Sequence, residues 1–332
     1  MSMSISNSIS GITPAIFSRN GSYKLIVFPL MICLLSIFVS TQAQSDSQIQ
    51  TLVVDGLERT YQLYVPETVT SPAPLVIVLH GGGGDSTGVR QMTHFDDQAD
   101  DAGFIVVYPD GLEEEWNDGR VYTSQHTFAD DVNFIHELIN TLEAQYQIDS
   151  SRIYATGISN GGFMSMTLAC DLADQITAVG VVSAGLSVDL QPDCHPARPV
   201  SVIILNGTDD PIVPYDGGAV HVFRLDRGAT LSTDDTVQFW VGQDACTIVS
   251  DEIALPDVNR RDRTQTYLLS YTGCTDEVQV QRYRIEGGGH TWAGGVPYLP
   301  RAIVGRVSQD FSATEVIWNF FSTVPPIPDT GN

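Results

Sequence analysis

The stretch Arg152-Ile153-Tyr154-Ala155-Thr156-Gly157-Ile158-Ser159-Asn160-Gly161-Gly162-Phe163-Met164 decides how this chain is read. A β-leaning apolar run enters it, and a run that opens a helix leaves it. Between them Ser159 has a glycine two residues away on each side. Such glycines let the backbone turn sharply and clear space around the serine. The Gly-x-Ser-x-Gly pattern is cheap, because Gly84-Asp85-Ser86-Thr87-Gly88 also carries it. Context separates the two, since the pattern presents a reactive serine only on a strand–turn–helix. Ser86 follows four glycines with no strand running into it, and reads as a flexible loop residue. Ser159 is the candidate nucleophile.

The flanking sequence supplies the sheet that such a turn needs. Thr51–Val54 and Thr60–Val65 read as a hairpin around Asp55-Gly56. Leu75–Leu79, Phe104–Tyr108, Ile153–Ala155, Val179–Val182 and Val200–Leu205 are short continuous apolar runs, as expected of strands buried on both faces. Helical patterns lie between them, at Asp130–Tyr146, Asn160–Cys170, Thr233–Val241 and Ser312–Phe321. The alternation predicts an α/β chain with a mostly parallel central sheet and helices on both faces, in a single domain. The segment between Gly217 and Arg263 is the least readable.

A serine hydroxyl attacks poorly unless a histidine takes its proton, and that histidine needs a carboxylate to fix its tautomer. The chain order expected on this arrangement is Ser, then acid, then His. The acid should leave a later strand. Val200–Leu205 is that strand, and the turn Asn206-Gly207-Thr208-Asp209-Asp210-Pro211 offers Asp209 and Asp210. Of seven histidines, His221 and His290 follow the turn. His290 sits in Gly287-Gly288-Gly289-His290-Thr291-Trp292, after the strand-like Val278–Ile285, and is the candidate base.

His80-Gly81-Gly82-Gly83-Gly84 follows the buried run Leu75–Leu79. Glycines there let backbone N–H groups approach a negatively charged oxygen that develops during acyl transfer, and one such donor is worth roughly 3–4 kcal/mol. The candidate donors are Asn160 N–H and Gly82 N–H, with Gly83 as the alternative to Gly82. His80 is read as a structural residue of that loop. Trp116 and Trp292 are candidates for lining a substrate pocket.

The chain of 332 residues carries 16 Lys+Arg and 40 Asp+Glu, a net charge of −24. That excess argues against nucleic acid and against anionic membrane surfaces or polyanionic substrates. Residues 1–43 hold Arg19, Lys24 and no acid, then the apolar run Leu25–Val39, then Thr41-Gln42-Ala43. This is the layout of a secretory signal peptide with cleavage after Ala43, the run being short for a bilayer span of roughly 20 residues. A mature chain of net charge −26 (14 − 40) would remain. Its four cysteines, Cys170, Cys194, Cys246 and Cys274, suit two disulfides in an oxidising compartment. Cys170–Cys194 and Cys246–Cys274 are the favoured pairs, each closing a local loop. No C-x-x-C spacing suggests a metal, and no cofactor is expected. The segment from 322 to 332 reads as a flexible tail.

Taken together these motifs resemble the secreted α/β-hydrolase esterases that include polyhydroxybutyrate depolymerases and feruloyl or acetylxylan esterases. The stretches carrying the likeness run from Thr51 to about Phe321. They include Asp55–Tyr61, His80–Gly84, Trp116-Asn117-Asp118-Gly119-Arg120, Asp130–Ile135, the Ser159 turn, Asn206–Tyr215 and the His290 loop. The resemblance implies an α/β-hydrolase catalytic domain over 44–321, with Ser159, Asp210 and His290 as triad. It favours Asp210 over Asp209, a choice the residues alone leave open. It also implies hydrolysis of a small-molecule or polymeric ester; a serine peptidase of the same fold is the competing expectation. Asn206 departs from the likeness, which commonly has His there, and so does Ala293, where Pro is common.

Overall fold

The computed structural model describes residues 49–67, 69–122 and 129–327. In chain order the elements are β1 (Gln50–Val54), β2 (Leu57–Tyr64), β3 (Ala73–Leu79), α1 (Ser86–Thr93), α2 (Phe95–Ala102) and β4 (Ile105–Pro109). Next come α3 (Asp131–Gln145), β5 (Ile148–Ile158), α4 (Asn160–Asp171), β6 (Ala178–Val182) and β7 (Ser201–Gly207). The remainder is β8 (Gly218–Val222), β9 (Leu225–Thr230), α5 (Thr233–Gln243), β10 (Ile248–Val249), β11 (Ile253–Ala254), β12 (Gln265–Thr272), β13 (Val280–Glu286), α6 (Arg301–Val304) and α7 (Ala313–Thr323).

The main sheet runs β1-β2-β4-β3-β5-β6-β7-β13-β12-β10, with β11 also on β12. Its central six strands, β4 to β13 in that order, are parallel, and antiparallel strands extend both edges. This is the expected α/β-hydrolase sheet. The apolar runs read from sequence lie in it because each must bury both faces. On β3, Leu75, Ile77 and Leu79 join the core beneath α3, α4 and α5, whereas Val76 and Val78 join the core beneath α1, α2 and α7. Parallel pairing also aligns the carboxyl ends of the strands. Ile158 of β5 pairs with Val182, Val182 with Leu205, and Leu205 with Tyr283. The loops leaving β3, β5, β7 and β13 therefore emerge along one edge, where open α/β sheets place their ligands.

Several elements were not legible in the sequence. Helices α1 and α2 are polar, and α2 buries only Phe95 and Ala99, one helical turn apart. The poorly readable segment contains a separate two-stranded hairpin, β8–β9. The first residues of the segment read as a flexible tail are held against the fold. Helix α7 continues to Thr323, Val324 is buried, and Ile327 N–H donates to Ser151 O at 3.0 Å. Residues 328–332 and the expected signal peptide, 1–43, lie outside the described residues. No helix among the described residues is long and apolar enough to cross a membrane.

Candidate active site

Ser159 sits between β5 and α4 with φ 57° and ψ −123°, a backbone state that a non-glycine residue holds only where its surroundings force it. Ser159 N–H donates to Val182 O at 3.0 Å, tying the turn to the neighbouring strand. The turn is tight against the sheet: a Cβ on Gly161 would lie 2.3 Å from Leu79 O and 2.5 Å from His80 O, so only glycine fits. Asn160 is the first residue of α4, where backbone N–H groups have no partner within the helix and the helix dipole favours negative charge. The Ser159 hydroxyl donates to no described residue.

The loop after β3 is held by His80, which is almost fully buried. Gly111 N–H donates to His80 Nε2 at 2.9 Å, so the ring proton resides on Nδ1, which donates to Gly81 O at 2.8 Å. Burial lowers the His80 pKa, the loop's carbonyl and distant carboxylates opposing only in part. Gly84 N–H donates to the same carbonyl at 3.0 Å. In a trans peptide the C=O and the next N–H point in opposite directions, so pinning Gly81 O also fixes where Gly82 N–H aims. Gly82 N–H donates to no described residue. Gly83 N–H is already committed to Glu114 O at 2.9 Å, which leaves Gly82 as the available donor of the two.

His290 and Asp210 are hydrogen-bonded to each other. His290 Nδ1 lies 2.8 Å from Asp210 Oδ2, and both side chains are only 2% exposed. The other Asp210 oxygen accepts from Ile212 N–H and Val213 N–H at 2.8 and 2.9 Å, which fixes the carboxylate plane. Asp209 instead faces outward and pairs with Arg306 at 3.0 Å. The His290 loop is packed onto β7: a Cβ on Gly207 would lie 2.3 Å from Gly288 O. Among the described contacts no hydrogen bond links Ser159 to His290. Base and acid are joined, and the serine shares their edge of the sheet. His221 is exposed on β8, and no described contact joins its side chain to this pair. Asn206 has a structural part: its side chain bonds both backbone groups of Ala184 and donates to Thr233 Oγ1 at 2.9 Å.

Three sequence expectations are corrected. Trp116 is fully buried; its indole donates to His80 O at 3.0 Å and packs beside the His80 ring. Trp292 is 2% exposed, donates to Thr314 Oγ1 at 3.0 Å and meets Phe95 edge-on. Both indoles are buried and neither offers a face to a ligand. Ser86 is no loose loop residue. It is buried at the start of α1, its N–H donating to Asp110 at 2.6 Å and its hydroxyl accepting from Gln62 at 3.0 Å. The favoured disulfides, Cys170–Cys194 and Cys246–Cys274, are both formed.

One constellation was missed. The Asn160 side chain accepts from Trp116 N–H at 2.7 Å and donates to Asp118 Oδ2 at 2.6 Å. Asp118 is clamped by Arg120, both are buried, and the Arg120 guanidinium lies 4.0 Å over the Phe163 ring of α4. The signal was present as Trp116-Asn117-Asp118-Gly119-Arg120, a charge-bearing motif without an assigned part. What it does is anchor the residue that follows Ser159.

A family model described as "Esterase PHB depolymerase" matches residues 59–222. "Probable feruloyl esterase C" of Aspergillus flavus is 30% identical over 76% of this chain and 86% of its own length. The chain belongs to the esterase PHB depolymerase family. As a member it is a carboxylic ester hydrolase of the serine hydrolase type. A further relative of this esterase is a protein of Nocardia uniformis subsp. tsuyamanensis named as a candidate esterase, NocK, 28% identical over 84% of this chain and 83% of its own. The fold of the acetyl xylan esterase from Aspergillus awamori superposes with a TM-score of 0.55 at 16% identity, covering 83% of this chain and 99% of that one. It supports the α/β-hydrolase fold.

Proposed function

We propose that Ser159, His290 and Asp210 form the triad of this esterase and that it works through an acyl-enzyme. The observation carrying the proposal is the buried His290–Asp210 pair at 2.8 Å on the same sheet edge as the strained Ser159 turn. In the first step His290 Nε2 takes the hydroxyl proton as Ser159 Oγ attacks the ester carbonyl. The developing oxyanion is held by Asn160 N–H and Gly82 N–H. The tetrahedral species collapses, and His290 returns the proton to the leaving alcohol. Water then attacks the acyl-enzyme with His290 again as base, which releases the acid. Asp210 keeps the Nδ1 tautomer and stabilises the imidazolium without itself taking the proton.

The substrate we propose is a neutral ester of the feruloyl, acetyl or hydroxyalkanoate class, supported by family membership and by an acidic chain that repels polyanions. We also propose export: the leader over 1–43 is cleaved near Ala43, and the two disulfides suit an oxidising destination. The test is one purified sample assayed on short p-nitrophenyl esters, methyl ferulate, acetylated xylan and polyhydroxybutyrate. Turnover of at least one of these is expected. Turnover of amides with none of the esters contradicts the proposal.

A further inference from the structure

We infer that the Arg227–Glu115 ion pair is an electrostatic guard of the oxyanion site, with Arg227 neutralising a carboxylate that would otherwise oppose catalysis. The inference rests on the reading that Gly82 and Asn160 supply the oxyanion donors. A Cβ built on Gly82 would lie 3.5 Å from Glu115 Oε1 and 3.7 Å from Asn160 Cβ. Glu115 Oε1 therefore lies beside Gly82, on the side of that glycine that also faces Asn160, with its side chain only 10% exposed. A lone negative charge in that place repels the developing oxyanion, and the repulsion is strong where water is excluded.

The structure offsets that charge from a distant part of the chain. Arg227 on β9 reaches Glu115 Oε1 at 2.6 Å with its side chain 15% exposed. Tyr122 OH donates to Glu115 Oε2 at 3.3 Å. Arg227 is itself held in place: Arg120 donates to its carbonyl at 3.0 Å, and its guanidinium lies 5.6 Å from the Tyr122 ring centroid. Burial works against its charge, but Tyr122 and Glu115 more than offset that and hold its pKa above the usual range. Among the described residues, the ionisable groups paired with Glu115 are Arg227 from β9 and Tyr122 from its own loop, with the Asp118–Arg120 pair beyond them. The β8–β9 hairpin thus delivers one cation to a point beside the oxyanion loop. Arg227 acts on the reaction through Glu115 and is a positioning residue.

Steady-state hydrolysis of p-nitrophenyl acetate by wild type, Arg227→Gln, Arg227→Lys, Arg227→Gln/Glu115→Gln and Ser159→Ala tests this. In Arg227→Gln, kcat should fall about 10–100-fold while KM changes less than about threefold. Adding Glu115→Gln should recover at least about tenfold in kcat, and Arg227→Lys should stay closer to wild type than Arg227→Gln. A purely mechanical latch predicts no recovery in the double variant. If Arg227→Gln does not fold, a double variant more than about 10-fold below Arg227→Lys in kcat contradicts the inference. An Arg227→Gln enzyme at wild-type kcat, or a double variant no better than the single, overturns it. An active Ser159→Ala variant instead overturns the triad reading beneath it.

Discussion

His290 Nδ1 and Asp210 Oδ2 lie 2.8 Å apart, while Asp209, one residue earlier, points to Arg306 on the surface. The two carboxylates are neighbours in sequence but sit in opposite environments. Asp210→Asn leaves the geometry nearly intact but presents an amide that favours the wrong imidazole tautomer, and kcat is expected to fall by about 10⁴. Asp209→Asn should stay within about twofold of wild type, because an exposed ion pair contributes little. Initial rates of p-nitrophenyl acetate hydrolysis by both variants check the pair. Equal losses in the two would contradict the assignment.

Asp118 holds the Asn160 side chain on one side and Arg120 on the other, all three buried. Asp118→Ala leaves the Arg120 guanidinium buried without its partner, and stability should drop by about 3–5 kcal/mol. Asp118→Asn keeps an acceptor for Asn160 and should cost less. Urea unfolding of the two variants reads the difference, and equal stabilities would show that Arg120 finds another partner.

Asp244 is buried with Oδ1 accepting from Val200 N–H at 3.2 Å and Oδ2 without a hydrogen-bond partner among the described residues. Burial pushes its carboxyl up to about 7, against smaller opposing effects of the Val200 N–H and Arg198. Its folded pKa thus exceeds the ordinary unfolded value. The folded chain binds the extra proton, so this contribution to stability is complete below about pH 4 and is lost as pH rises through about 7. Asp244→Asn cannot ionise. Its stability relative to wild type, measured by urea unfolding, should be more favourable at pH 8 than at pH 5. The same difference at both pH values would contradict the burial argument.

What was legible in the sequence follows from range. The Ser159 turn, the His80 loop and the buried strands are each decided by a dozen consecutive residues, and all three are found where they were read. Asp209 and Asp210 occupy the same turn and differ only in direction, which depends on a loop some 80 residues later. The part played by Asp118 was hidden for the same reason, since its partner Asn160 is 42 residues away. Trp116 and Trp292 were misread because a tryptophan in a polar or glycine-rich loop looks accessible on paper; here the chain closes over both rings, with Gly111 against Trp116 and Gly295 against Trp292. The β8–β9 hairpin carries no strong periodicity, so the approach of Arg227 to Glu115 across 112 residues had no local trace.

The central claim is that Ser159 is the nucleophile. The most direct measurement is hydrolysis of p-nitrophenyl acetate by purified Ser159→Ala beside wild type, with circular dichroism to confirm an unchanged fold. The expected result is a kcat lower by at least about 10⁴ in a folded protein. A folded Ser159→Ala variant that keeps more than about a tenth of wild-type turnover would contradict the account.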